Sequence, residues 1–310
     1  MMLLWLIYMT TSLLYSLASK NCSNVIQVEK GTPAFAIYTG MVAVFACAFF
    51  FVCGGFSLTV NLPSLLYALW FSVLCIGSLF LNLKVYLYYP IANVNVINSI
   101  GSILLTTLAG VLWLNEKMTM GVMIRCVLVI VVVTLVFLSG KHSEKSKEQP
   151  SDQETDKTPA VHKSKWQLCY LIGMPVMTAI VFLTMKGFSM IPGKISDTSF
   201  CFFANVFMFL YALVWLPLCL CKNKTSLRAA DLHFGRRELL ATLFIVLSSN
   251  TVSLLEFSLV ARTDMVVFTP VSTAITILVS VVSSLIYKEK LNVYSVLAIL
   301  LSLAVIFINF

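Results

Sequence analysis

Charge is what this chain has least of. Only 11% of its 310 residues are charged, against roughly a quarter in soluble domains, which excludes a soluble globular protein. Histidine is nearly as scarce: His142, His162 and His233 all lie in hydrophilic segments. No Ser-His-Asp set can converge from there, and no glycine-rich phosphate loop follows a strand. Catalysis and ATP-driven work are therefore not indicated, and no cofactor is expected. The nine cysteines lie mostly inside apolar runs, as at Cys47, Cys53, Cys75, Cys126 and Cys201, where a free thiol acts as a small hydrophobe. Cys219 and Cys221 stand one residue apart with no histidine nearby, a poor zinc signature, and no metal is expected. Basic residues are absent from Met1 to Leu6, and the apolar stretch there is longer than a signal-peptide core. It reads as a retained helix.

What the chain has in excess is apolar length. Hydrophobic residues make up 59% of it, and its mean hydropathy is +0.94. Crossing about 30 Å of hydrocarbon takes roughly 20 apolar helical residues. Ten such runs are present, at 2–21, 33–57, 63–87, 91–113, 119–139, 166–189, 198–221, 238–260, 264–286 and 292–310. The expected fold is an all-α membrane protein of ten transmembrane helices. Its net charge of +8 resides in loops beside these runs and implies no nucleic-acid partner. Counted by side, three Lys or Arg accompany the termini (Lys117, Lys194, Arg262) and fifteen lie opposite. The positive-inside rule then places both termini outside the cytoplasm.

The chain is written twice. Leu114-Asn115-Glu116-Lys117-Met118-Thr119 and Tyr287-Lys288-Glu289-Lys290-Leu291-Asn292 each end one apolar run and begin another, the mark of a tight helical hairpin. Setting Asn93–Thr119 against Val266–Asn292 without gaps gives six identities in 27 positions, including both Glu-Lys tips. Between the copies, Gly140 to Lys165 carries six Lys and five acidic residues and cannot bury enough apolar surface to fold alone. The domain reading is a first five-helix repeat at 1–140, a hydrophilic linker at 141–165 and a second repeat at 166–310. Because five is odd, the second copy is inverted, a recurrent transporter plan with substrate near the midplane where the repeats meet.

These features resemble the drug/metabolite transporter superfamily in its ten-helix EamA-like branch. The likeness rests on the two Glu-Lys hairpins, on Lys20 and Lys186 near the ends of the first and sixth helices, and on Leu79 to Pro90 before the fourth. It implies a transporter working by alternating access, with both termini in the cytoplasm. That is opposite to the charge count, and orientation stays open. Members carry a proline early in the fourth and ninth helices; Pro270 supplies the second, but Ile97 stands at the first position.

Polar side chains inside apolar helices are the candidates for substrate contact, since lipid offers them no partners. Asn95, Asn98, Ser99 and Ser102 share one face of the fourth helix by their spacing of three and four. Thr269, Ser272, Thr273 and Thr276 answer them in the ninth. Such residues either line a cavity or join helices. Glu256 is the one acid clearly inside an apolar run, Leu239 to Val260. It is either a proton carrier or cation partner, or half of an ion pair with Lys84, Lys186 or Arg262. Asn250 and Ser253 extend its polar stripe. Lys186 either attracts an anionic group or snorkels to the interface. Tyr8, Trp70, Trp113, Tyr211 and Trp215 suit an interfacial belt, while Tyr15 lies deeper and is a pocket candidate. Glu116 and Glu289 read as turn and gate-closing charges.

The functional expectation is a secondary active exporter or exchanger of small polar metabolites such as amino acids, in the plasma membrane. Its partners would be a small-molecule substrate and the lipid bilayer, with a homodimer open. Two alternatives stand beside it: an exchanger of nucleotide sugars or other organic anions, and a non-transporting membrane scaffold or receptor of the same fold.

Overall fold

The computed structural model describes residues 2–25, 31–88, 91–145, 165–223, 236–286 and 293–307. Among these the chain forms ten α-helices: α1 (Met2–Val25), α2 (Gly31–Cys53), α3 (Leu62–Tyr88), α4 (Ile91–Trp113), α5 (Met120–Lys145), α6 (Lys165–Ser189), α7 (Asp197–Asn223), α8 (Arg236–Arg262), α9 (Met265–Ile286) and α10 (Val293–Phe307). No strand occurs among the described residues. Every apolar run expected to be a helix is one. Five helices carry stretches long and apolar enough to cross a membrane: Ala36–Cys53, Leu62–Leu81, Ile172–Ser189, Asp197–Leu218 and Leu239–Arg262. With lipid as solvent, only a helix satisfies its own backbone, which is why such runs fold this way. Three boundaries differ from expectation by four residues or more: α1 runs on from residue 21 to Val25, α2 ends at Cys53 rather than 57, before the positive-φ turn at Gly55 and Phe56, and α5 is extended. α5 continues past residue 139 to Lys145, since Lys141, Glu144 and Lys145 are good helix formers and nothing there breaks the turn.

The chain divides into two compact units, one of residues 1–76 with 184–262 and the other of residues 77–183 with 263–310. Each unit draws helices from both sequence halves.

In the first unit α2 packs along α7 and α1 along α8. The α2–α7 pair is antiparallel. Gly40 lies against Ala212 and Phe209, Cys47 Sγ approaches the Phe202 carbonyl at 3.8 Å, and Gly54 lies by Thr198, so positions on α7 fall as those on α2 rise. Four phenylalanines, one each from α3, α6, α7 and α8, form the densest contact. Phe188 and Phe200 stack at 4.0 Å between centroids, Phe257 meets both edge-on, and Phe71 touches Phe200 and Phe257. Edge-to-face and offset geometries are the favoured ones for aromatic rings. Phe188 and Phe200 are fully buried. Truncating Phe200 to alanine is expected to lower stability by about 3–5 kcal/mol, read as a fall in melting temperature in detergent, whereas Phe200→Leu should cost less than half of that.

The connections α2–α3 and α6–α7 close one end of this unit through side-chain hydrogen bonds. Ser196 caps α7, its Oγ accepting from the Ser199 amide at 3.2 Å. Ser199 Oγ in turn accepts from the Thr59 amide at 3.2 Å, and Asn61 Nδ2 donates to the Gly193 carbonyl. Serine suits the cap because its hydroxyl satisfies a first-turn amide that has no partner within the helix.

In the second unit α4, α5, α9 and α10 enclose a dry core of Ile103, Val129, Val132, Val133, Ala274, Ile277 and Val305. Gly110 at the end of α4 lies against Val266 at the start of α9, while Ile103 and Ala274, further along each, share that core. α4 and α9 are therefore antiparallel.

Candidate functional site

Polar groups within the helices collect separately in each unit. In the first they lie between α1 and α8. The Tyr8 hydroxyl donates to Glu256 Oε1 at 3.0 Å. Tyr8 is 3% exposed and lies edge-on to the equally buried Trp5. Tyr8 is thus packed inside the protein, its hydroxyl turned to α8. A carboxylate at this depth costs a few kcal/mol unless it is paired or protonated, and a hydroxyl is the partner this fold supplies. Glu256 is half-buried as a residue, and this hydroxyl holds its carboxylate. Phe257, its neighbour in sequence, is locked in the phenylalanine cluster, which fixes the turn of α8 from which Glu256 projects.

Two further buried polar atoms in this unit have no hydrogen-bond partner, Ser12 Oγ and Asn250 Nδ2. Ser12 lies one turn beyond Tyr8 on α1, on the same face. Such groups are rare in folded proteins. Lys186, one of the ion-pair partners proposed for Glu256, donates instead to the Val260 carbonyl at 3.1 Å. Val260 is in the last turn of α8, whose carbonyls have no partners within the helix, and a cation there also suits the helix dipole. Tyr15, expected at depth, is 37% exposed.

In the second unit the polar face of α4 meets α6. Thr178 Oγ1 donates to Asn98 Oδ1 at 3.1 Å. One turn along, Pro175 of α6 lies so close to Gly101 that a Cβ there would stand 2.6 Å from the ring. On α9, Thr269 and Ser272 are buried, and Thr269 Oγ1 has no partner. The side chains of Asn95 and Ser99, like those of Lys20 and Lys84, fall outside the described residues, as does the whole of Glu289.

Glu116 shows an arrangement the sequence did not suggest. Its Oε1 accepts from the Met265 amide at 2.8 Å and its Oε2 from the Val266 amide at 2.9 Å. The tip of the α4–α5 hairpin thereby caps α9.

Residues 165–310 match the sequence profile of the EamA-like transporter family. Over that stretch, a little under half of the chain, it is similar to this family. The EamA-like match begins at the first residue of α6 and runs to the end of the chain, and the family is part of the drug/metabolite transporter superfamily. An EamA-like protein with this helix content is an integral membrane protein of a transporter family. Among curated proteins no relative matches the sequence. One protein of known crystal structure aligns over 99% of this chain and 95% of its own, with a TM-score of 0.64 and 12% identity. That likeness is one of fold.

Proposed function

We propose that this protein is a secondary active exporter or exchanger of small polar metabolites such as amino acids, acting in the plasma membrane. The cycle is alternating access between two inverted five-helix repeats, 1–140 and 166–310, joined by the linker 141–165. The family match over 165–310 supports this, as do the antiparallel pairs α2–α7 and α4–α9, which join corresponding helices of the repeats. The observation that carries the functional reading is a carboxylate, Glu256, set within the membrane-spanning stretch Leu239–Arg262 and held by a buried tyrosine. Such a group accepts a proton or a cationic substrate group without binding irreversibly.

Substrate contact is proposed for the polar groups of each unit: Asn250 and Glu256 with Tyr15 and Lys186 in the first, and Asn98, Thr269 and Ser272 with Asn95 and Ser99 in the second. The organic-anion alternative would need Lys186 as its centre. A lysine committed to a helix-terminal carbonyl lends that no support.

Thermal stabilisation of the purified protein by amino acids, amines, nucleotide sugars and drugs, followed by uptake into proteoliposomes, tests the reading. A ligand at a hundred times its dissociation constant adds about 2.7 kcal/mol, a readily measured shift. The expected result is that amino acids or amines stabilise the protein and are taken up. Stabilisation by nucleotide sugars alone would favour the anion exchanger, and binding without uptake would favour the scaffold.

A further inference from the structure

The first turn of α9 is a weak point by construction. Pro270 lacks an amide hydrogen, so the carbonyl four residues earlier, that of Val266, loses its helical partner. The opening amides of any helix are also unpaired within it. Here two of them, those of Met265 and Val266, are satisfied from outside α9. Val267 and Phe268 donate to the Asp264 carbonyl at 3.0 and 2.8 Å, and Met265 and Val266 donate to the two oxygens of Glu116 at 2.8 and 2.9 Å.

The seat for that carboxylate is built into the hairpin. Asn115 adopts a left-handed conformation, φ +52°, which asparagine tolerates better than most residues. The Glu116 amide folds back onto the Gly110 carbonyl at 3.0 Å. Glycine at 110 leaves room for the carboxylate, because a Cβ there would stand 2.6 Å from Glu116 Oε2 and 3.1 Å from Val266 Cγ1 and would displace it. Thr269, whose buried hydroxyl is unpartnered, follows the capped amides by one turn, and Ser272 by a further turn.

We propose that Glu116 is a positioning residue for the polar face of α9. Its carboxylate supplies, from a segment about 150 residues away, the acceptors that the first amides of α9 lack within the helix, and so fixes the height and rotation of Thr269 and Ser272. A negative charge at a helix N-terminus is favoured by the helix dipole, and glutamine cannot reproduce it, since its amide nitrogen would face one of the two N–H groups. The inference rests on the reading of Thr269 and Ser272 as substrate-contacting for its significance, but its test does not require transport.

The test is the rate of maleimide labelling of cysteines placed at Thr269 and, as control, at Ala274, five residues further along α9 in the apolar core. Each rate is measured above that of the parent chain, which has its own cysteines. Labelling of a buried position proceeds through local opening. In Glu116→Gln the rate at position 269 is expected to rise about tenfold, with the rate at 274 unchanged. Gly110→Ala expels the carboxylate sterically while leaving its charge in the chain, and should give the same pattern. Glu116→Asp, one methylene short, should lie between. An unchanged rate at 269 in folded Glu116→Gln or Gly110→Ala overturns the proposal. So does an equal rise at 269 and 274, which is the signature of general loosening.

Discussion

Uptake driven by a gradient is expected to fall about ten- to a hundredfold in Glu256→Gln, measured in proteoliposomes with whichever compound stabilises the wild type. The factor follows from the strength of a hydrogen bond to a charged group, about 1.5–3 kcal/mol, at about 1.4 kcal/mol per factor of ten. Glutamine keeps the length of the side chain and an oxygen to accept the Tyr8 hydroxyl, so the α1–α8 contact survives and the protein should remain folded. What it cannot do is carry a proton or a negative charge. If Glu256 couples transport to protons, the variant should lose its response to an imposed pH gradient while retaining some exchange of substrate for substrate. If Glu256 instead meets a cationic group of the substrate, exchange should fall together with net uptake, because binding itself is weakened. Tyr8→Phe separates structure from chemistry, removing the hydrogen bond but leaving the carboxylate. Uptake by Glu256→Gln equal to wild type in both modes would remove Glu256 from the mechanism.

The helices were legible because the bilayer imposes one rule on every span. A run of about 20 apolar residues must be helical, and turns between the runs carry the few charges the chain has. The ends were less legible: α1 and α5 run past theirs, and α2 stops at Cys53, short of its own. Contacts between distant segments were not legible. Tyr8 near a chain end reads as an interface aromatic by position, and only the facing α8 shows that its hydroxyl serves Glu256, 248 residues away. The hairpin glutamate was recognised as part of a turn, but periodicity carries no information about which amides its carboxylate would meet. Ser12, Thr178 and the glycine at 101 gave no signal beyond composition. Asn98, by contrast, was found from the three-and-four spacing of its face, because that spacing is a local property of one helix.

One of these unforeseen contacts carries a stability prediction that runs against helix propensity. Gly101→Ala is expected to destabilise the protein by about 1–3 kcal/mol, the usual cost of overpacking a well-filled site. Alanine is the better helix former by about 1 kcal/mol, so a loss would be contrary to propensity and attributable to the contact. The new Cβ would stand 2.6 and 2.9 Å from the Cβ and Cγ of Pro175. Those atoms belong to a ring fixed to the backbone of α6, which cannot swing aside as the end of a flexible side chain would. α4 and α6 must separate instead, and the Thr178–Asn98 hydrogen bond one turn away is the first polar contact to stretch. Substrate stabilisation should therefore shrink in Gly101→Ala beyond what its lower melting temperature implies. Pro175→Gly removes both ring atoms, so the double variant Gly101→Ala, Pro175→Gly should be more stable than the sum of the two singles, with a coupling of about 0.5–3 kcal/mol. If Gly101→Ala stays within about 0.5 kcal/mol of wild type, the range of an ordinary surface change, or if the double variant shows no coupling, the close approach of α4 and α6 does not set the geometry of Asn98.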